Sequence, residues 1–125
     1  YQQDYAFALT NRGNALLRLE RYPEALDAFA RAIDSEPAYS YAWNGRGNAY
    51  RLQNDFERAL ADYTQAVTLD PDFYEALYNQ GLAFIALERP EAALQALDLA
   101  IAAKPNYRSA IELRARVREG LGQRP

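Results

Sequence analysis

Seventeen carboxylates are the side chains with which this 125-residue chain could most readily do acid–base or metal chemistry. Two of them set close together would share a proton or hold a divalent ion. They are instead scattered over what read as helix surfaces, with no paired or metal-spaced cluster. Histidine and cysteine are both absent, which removes the commonest general base, the commonest metal ligand and the strongest nucleophile. The serines, Ser35, Ser40 and Ser109, each stand beside an expected helix end, where serine usually caps. No catalytic residue, metal or cofactor is assigned, and the chain is expected not to be an enzyme.

The remaining composition narrows the class. Half the residues are hydrophobic and a quarter are charged, as in ordinary globular domains. No apolar run reaches membrane-spanning length, so no membrane insertion is expected. Residues 1–107 carry nine basic and fifteen acidic side chains, while residues 108–125 carry five and two. An acidic body argues against nucleic acid, which binds through neutralised phosphates. The chain opens on Tyr1 without a signal-peptide pattern and is expected to be a piece of a longer protein. Arginine outnumbers lysine thirteen to one, a bacterial lean. Cytoplasm is the default compartment and the periplasm stays open.

What positions side chains in this sequence is a repeat. NRGNAL at 11–16, GRGNAY at 45–50 and NQGLAF at 79–84 are near-copies, and their glycines Gly13, Gly47 and Gly81 are 34 residues apart. Four further columns share that period: Ala15, Ala49 and Ala83; Ala25, Ala59 and Ala93; Ala32, Ala66 and Ala100; Pro37, Pro71 and Pro105. Large residues recur too, as Leu16, Tyr50 and Phe84 and as Phe29, Tyr63 and Leu97. Within each unit the apolar spacing is helical. Asn54-Asp55 suits a left-handed residue followed by an N-cap, and Pro23 and Pro90 suit helix starts. The residues before Pro37, Pro71 and Pro105 must leave the helical region. Seven helices are predicted, over 5–19, 23–35, 39–53, 56–69, 73–87, 90–103 and 107–120. Glycine inside a helix costs about 1 kcal/mol against alanine, and close backbone approach beside a large neighbour explains why it is kept.

A 34-residue helix–turn–helix with Trp43, Arg46-Gly47, Tyr50, Ala59, Tyr63, Ala66 and Pro71 resembles the tetratricopeptide repeat. The resemblance covers residues 6–39, 40–73 and 74–107, with a terminal solvating helix over 107–120. It implies a single domain over 1–125, an all-α, right-handed α-solenoid whose first helices line a concave groove. Arg12, Arg46 and Gln80 stand where the family often has leucine. The arginines are expected to lay their stems on the core with their heads in water. Arg114, Arg116 and Arg118 give the last helix a polar outer face, beside a stripe of Leu113, Val117 and Leu121.

The family's groove typically holds peptides, so this chain is expected to be a protein–protein interaction module that binds an extended or helical segment of a partner. With the glycines facing the neighbouring helix, the inner face takes Phe7, Thr10, Asn11, Asn14, Leu17 and Arg18, then Tyr41, Asn44, Gly45, Asn48, Arg51 and Leu52, then Glu75, Tyr78, Asn79, Leu82 and Ile85, and finally Glu112 and Arg116. Asn11, Asn14, Asn44, Asn48 and Asn79 offer carboxamides that pair with peptide N–H and C=O alike, or they serve local backbone bonding. A ladder of them supplies about 3–6 kcal/mol, below the ~8 kcal/mol of micromolar binding. Aromatic anchors are therefore needed, from Tyr41, Tyr78 and Phe7, with Phe7 the more natural packing residue. Gly45 either opens a pocket or is a tolerated blemish.

Relatives that grip acidic chaperone tails use Lys, Asn, Asn, Lys and Arg, at places that here hold Thr10, Asn14, Gly45, Glu75 and Asn79. Only Asn14 matches, and Glu75 has the opposite sign. That argues against a chaperone-tail adaptor. The alternative function is structural, a homo-oligomer assembled through the end helices.

Overall fold

The computed structural model describes residues 2–122, and among them the backbone forms seven helices and no strand. They are α1 (Gln2–Arg18), α2 (Tyr22–Ser35), α3 (Ser40–Leu52), α4 (Phe56–Leu69), α5 (Tyr74–Ala86), α6 (Pro90–Ala103) and α7 (Arg108–Gly120). Their bounds follow the predicted ones closely, except that α1 already begins at Gln2. No helix among the described residues is long and apolar enough to cross a membrane.

Each hairpin turns on one left-handed residue. Glu20, Asn54 and Glu88 have φ of 58°, 64° and 59°. The following N–H then reaches back over the helix end, from Arg21 to Leu16 O, Asp55 to Tyr50 O and Arg89 to Phe84 O, at 2.8–2.9 Å. This double-back satisfies carbonyls that a helix end leaves unpaired. Asp55 then caps α4 by accepting from the Arg58 N–H. Between hairpins, Glu36, Asp70 and Lys104 are extended, as residues before proline must be.

Neither Ser40 nor Ser109 stands at a helix cap. Ser40 is the first residue of α3, Ser109 lies inside α7 and Ser35 ends α2. The cap positions of α3, α5 and α7 belong to Tyr39, Phe73 and Tyr107. These places face the preceding hairpin, and ring burial there outweighs a side-chain cap: Phe73 is 5% exposed, and Tyr39 and Tyr107 pack on core clusters.

The glycines are occupied by large side chains, as predicted. A methyl group at Gly13 would stand 2.6 Å from Phe29 Cε1, one at Gly47 2.6 Å from Tyr63 Cε1, and one at Gly81 3.0 Å from Leu97 Cδ2. Phe29, Tyr63 and Leu97 are fully buried. Gly45 also meets Phe29, from the next hairpin, so a single ring is held between Gly13 and Gly45. Gly45 is thus no blemish. It is the half of a socket that joins two repeats.

Helices pack most closely within a hairpin and then onto the next, and α1 also meets α3 as α3 meets α5. The odd-numbered helices therefore crowd together and line the inner side of the stack. One expectation for its outer part is corrected. The Arg46 head is not simply in water: Nε and Nη2 bind Asp62 Oδ2 and Oδ1 at 2.8 and 2.9 Å, and Asp62 is 4% exposed. Asp62 occupies a column whose other members are Ala28 and Ala96, which left room for the pair. Gln80 instead donates to Thr64 Oγ1. In α7, Arg114 reaches back to Asp98 on α6 at 2.9 Å, and Leu113 is buried against Leu77 and Leu97 with Val117 packed beside it. Two members of the expected contact stripe are thus already engaged with the chain's own core.

Candidate peptide-binding groove

The inner side of α1, α3 and α5 opens into a hollow of about 530 Å³. It is lined by Phe7, Thr10, Asn11 and Asn14 of α1, by Tyr39, Tyr41, Asn44, Gly45 and Asn48 at and along α3, and by Phe73 and Glu75 at the start of α5. The positions recur because the repeat returns the same helical face every 34 residues. Phe7, Tyr41 and Glu75 are one such row across the head of the groove.

The five asparagines do not form one open ladder. Asn44 Oδ1 accepts from Asn79 Nδ2 at 3.0 Å, tying the second repeat to the third. Asn48 Oδ1 accepts from the Tyr63 hydroxyl at 2.6 Å and from Arg51 Nη2 at 3.3 Å, and Arg51 Nε donates to the same hydroxyl at 3.0 Å. Asn48 and Arg51 therefore close over a core tyrosine. Burial pushes the Tyr63 phenol up to about 12, against the pull of the Arg51 cation. The side chains of Asn11 and Asn14 make no hydrogen bond among the described residues, and Asn11 is exposed.

The three candidate anchors differ in exposure. Phe7, foreseen as packing, is 55% exposed. Tyr78, foreseen as an anchor, is packed on the core around Leu77 and Leu97, with its ring 5.5 Å from that of Tyr107. Tyr41 is 53% exposed, with the Tyr39 ring at 5.6 Å and the Phe73 ring at 4.9 Å. Burial, then the neighbouring Tyr41, raise the Tyr39 phenol. Tyr39 and Phe73 were missed as groove residues, although the column Tyr39, Phe73 and Tyr107 at the 34-residue period was there to find.

Thr10 lies deeper than an inner-face residue was expected to lie. It is 3% exposed, and its Oγ1 is buried without a hydrogen-bond partner. Leu82, Ile85 and Val117 pack on the core between α5, α6 and α7. A second open hollow, of about 590 Å³ and mainly apolar, lies there between Ile85, Pro90, Leu113, Val117 and Leu121.

Stacked helical hairpins around an open groove, without paired acid–base groups, define a repeat scaffold. The tetratricopeptide repeat profiles match residues 6–39, 40–73 and 74–107. The chain belongs to the tetratricopeptide repeat family, a family of protein-interaction scaffolds. The search of curated proteins returned no sequence match. Among solved structures it is similar to the first tetratricopeptide domain of Spaghetti (RPAP3) bound to the HSP90 peptide SRMEEVD, at 25% identity and a TM-score of 0.92, over 97% of this chain and 96% of that one. It is likewise similar to the first such domain of human RPAP3, at 25% identity and a TM-score of 0.91, over 94% and 93% of the two chains. The TPR domain of Arabidopsis OM64, at 22% identity and a TM-score of 0.91 over 96% and 99%, shares the fold.

Proposed function

We propose that the chain holds an extended segment of a partner protein in the groove between α1, α3 and α5, by binding alone. The observation that carries this reading is the pairing of unused carboxamides with exposed rings in one hollow: Asn11 and Asn14 beside Phe7 and Tyr41. The carboxamides suit peptide N–H and C=O groups of any sequence. The rings supply the anchoring that hydrogen bonds of about 1 kcal/mol each do not. Structural neighbours holding peptides of HSP90 and HSP70 support the same use of the fold. An acid-rich tail such as SRMEEVD is a poor occupant, because Thr10, Glu75 and Asn79 stand where the clamp has its cations.

The test is selection of random displayed peptides on the wild-type chain, followed by anisotropy titration of the winners. Binding weakened about tenfold or more by Asn14→Ala with Tyr41→Ala, at unchanged melting, is expected. Winners indifferent to both substitutions would remove the groove from the mechanism.

Self-assembly through the end helix is the second reading, favoured by the apolar hollow beside Leu121. It requires a mass that rises with concentration and falls with Leu121→Glu. Leu113 is unsuitable for that test because it is buried in the chain's own core.

A further inference from the structure

The head of the groove joins one acid to several rings. The Glu75 carboxylate is exposed, lines the hollow, and makes no hydrogen bond or ion pair among the described residues. Glu75 is the only charged residue among those that line it. Its companions in the row are Phe7 and Tyr41, both more than half exposed, and Phe73 and Tyr39 stack around Tyr41. Ring faces attract cations, and a carboxylate beside them adds a charge-assisted hydrogen bond.

The charges nearby do not neutralise this site. Lys104 Nζ is held over the rings of Tyr74 and Tyr107, at 4.7 and 5.5 Å from their centres, and forms no ion pair with Glu75. Arg51 stands ten residues beyond Tyr41 on α3, roughly 15 Å along the axis, engaged by Tyr63 and Asn48.

We infer that the head of the groove takes the side-chain cation of an arginine or lysine in the bound segment, seated on Glu75 beside the exposed rings of Phe7 and Tyr41. The inference rests on the groove reading and sets its specificity: the segment is basic at this position, opposite in sign to the HSP90 peptide held by the structural neighbour. A segment with an acid there meets Glu75 with like charge, and nothing in the hollow offsets it.

The experiment uses the peptides recovered by display on the wild-type chain, each bearing its own fluorophore. Recovered peptides are expected to carry Arg or Lys, and replacing that residue by Gln is expected to weaken binding about tenfold, or ~1.4 kcal/mol. Glu75→Lys should weaken the parent peptide by at least as much and recover affinity for a peptide whose basic residue has become Glu. Peptides weakened by Asn14→Ala and Tyr41→Ala that contain no basic residue, or bind Glu75→Lys unchanged, would overturn the cation site and leave the groove standing. Peptides insensitive to all three substitutions would overturn both. Glu75 is exposed, so Glu75→Lys should fold, and melting checks that.

Discussion

Arg46 and Asp62 form a two-pronged ion pair between α3 and α4, with the Asp62 side chain 6% exposed and the Arg46 side chain 24% exposed. The Arg46 cation also lies over the rings of Trp43 and Tyr50, at 5.2 and 6.0 Å from their centres. Burial raises the Asp62 carboxyl above its ordinary value, and the arginine pulls it back. Such a pair stabilises less than its geometry suggests, because both charges leave water.

Removing one partner should therefore hurt more than removing both. Arg46→Leu leaves a buried carboxylate unpaired and is expected to cost about 3–5 kcal/mol at neutral pH. Asp62→Ala should cost less, since the Arg46 head is close enough to solvent to turn outward. Arg46→Leu with Asp62→Ala removes both charges, sets an alanine in the column of Ala28 and Ala96, and should return to within about 1 kcal/mol of wild type. Urea melts of the four chains decide this, and additive losses would refute it.

The same pair has a pH signature in the Arg46→Leu chain. An acid whose folded pKa is raised binds its proton more readily folded than unfolded, so stability falls as pH rises through that window. Without Arg46, nothing on α3 opposes the effect of burial. The deficit of Arg46→Leu should thus shrink as pH is lowered from neutral towards 4, the opposite of ordinary acid denaturation. A deficit that grows on acidification would show that Asp62 stays charged.

Tyr63 supplies an alkaline counterpart. Its phenol is at about 12 in the fold against about 10 unfolded. The folded state keeps this proton longer, so the stability it represents is complete below about pH 10 and is lost as pH rises towards 12. The full loss is on the order of 3 kcal/mol. Tyr63→Phe should flatten this part of the stability profile, at a neutral-pH cost of about 1 kcal/mol for the bonds to Asn48 and Arg51. An unchanged alkaline slope would assign it elsewhere.

The socket around Phe29 makes Gly45 sensitive although it borders the groove. Gly45→Leu drives a side chain into the Phe29 ring and should cost at least 1–3 kcal/mol. Phe29→Ala should cost about 3–5 kcal/mol. In combination the two should lose less than their sum, because the leucine fills part of the vacated space. Thermal melts of the three variants report it.

Glu20 and Glu88 carry the left-handed turn without glycine's freedom. Glu20→Gly and Glu88→Gly are each expected to stabilise by about 0.5–1 kcal/mol. A lower melting temperature in both would mean that their carboxylates hold the hairpin ends in some other way.

The recurrence of Gly, Ala and Pro at one period determined the seven helices, their pairing and the family, because backbone approach and pre-proline geometry act locally and leave a mark in each copy. Asn54 announced its turn since asparagine tolerates positive φ. Glu20 and Glu88 did not, having no such preference. The periodic pattern likewise placed Phe7, Asn14, Tyr41 and Glu75 on one face. Only the tertiary structure decided which of those side chains are free. Asn48 is held by a tyrosine from α4, Asn44 by an asparagine from α5 and Tyr78 by a ring at the start of α7. Those partners lie 15, 35 and 29 residues away in the chain, and a donor–acceptor match across that distance depends on how neighbouring hairpins are stacked. A helical face is a local property of sequence, but an unsatisfied hydrogen bond is a property of the packed whole.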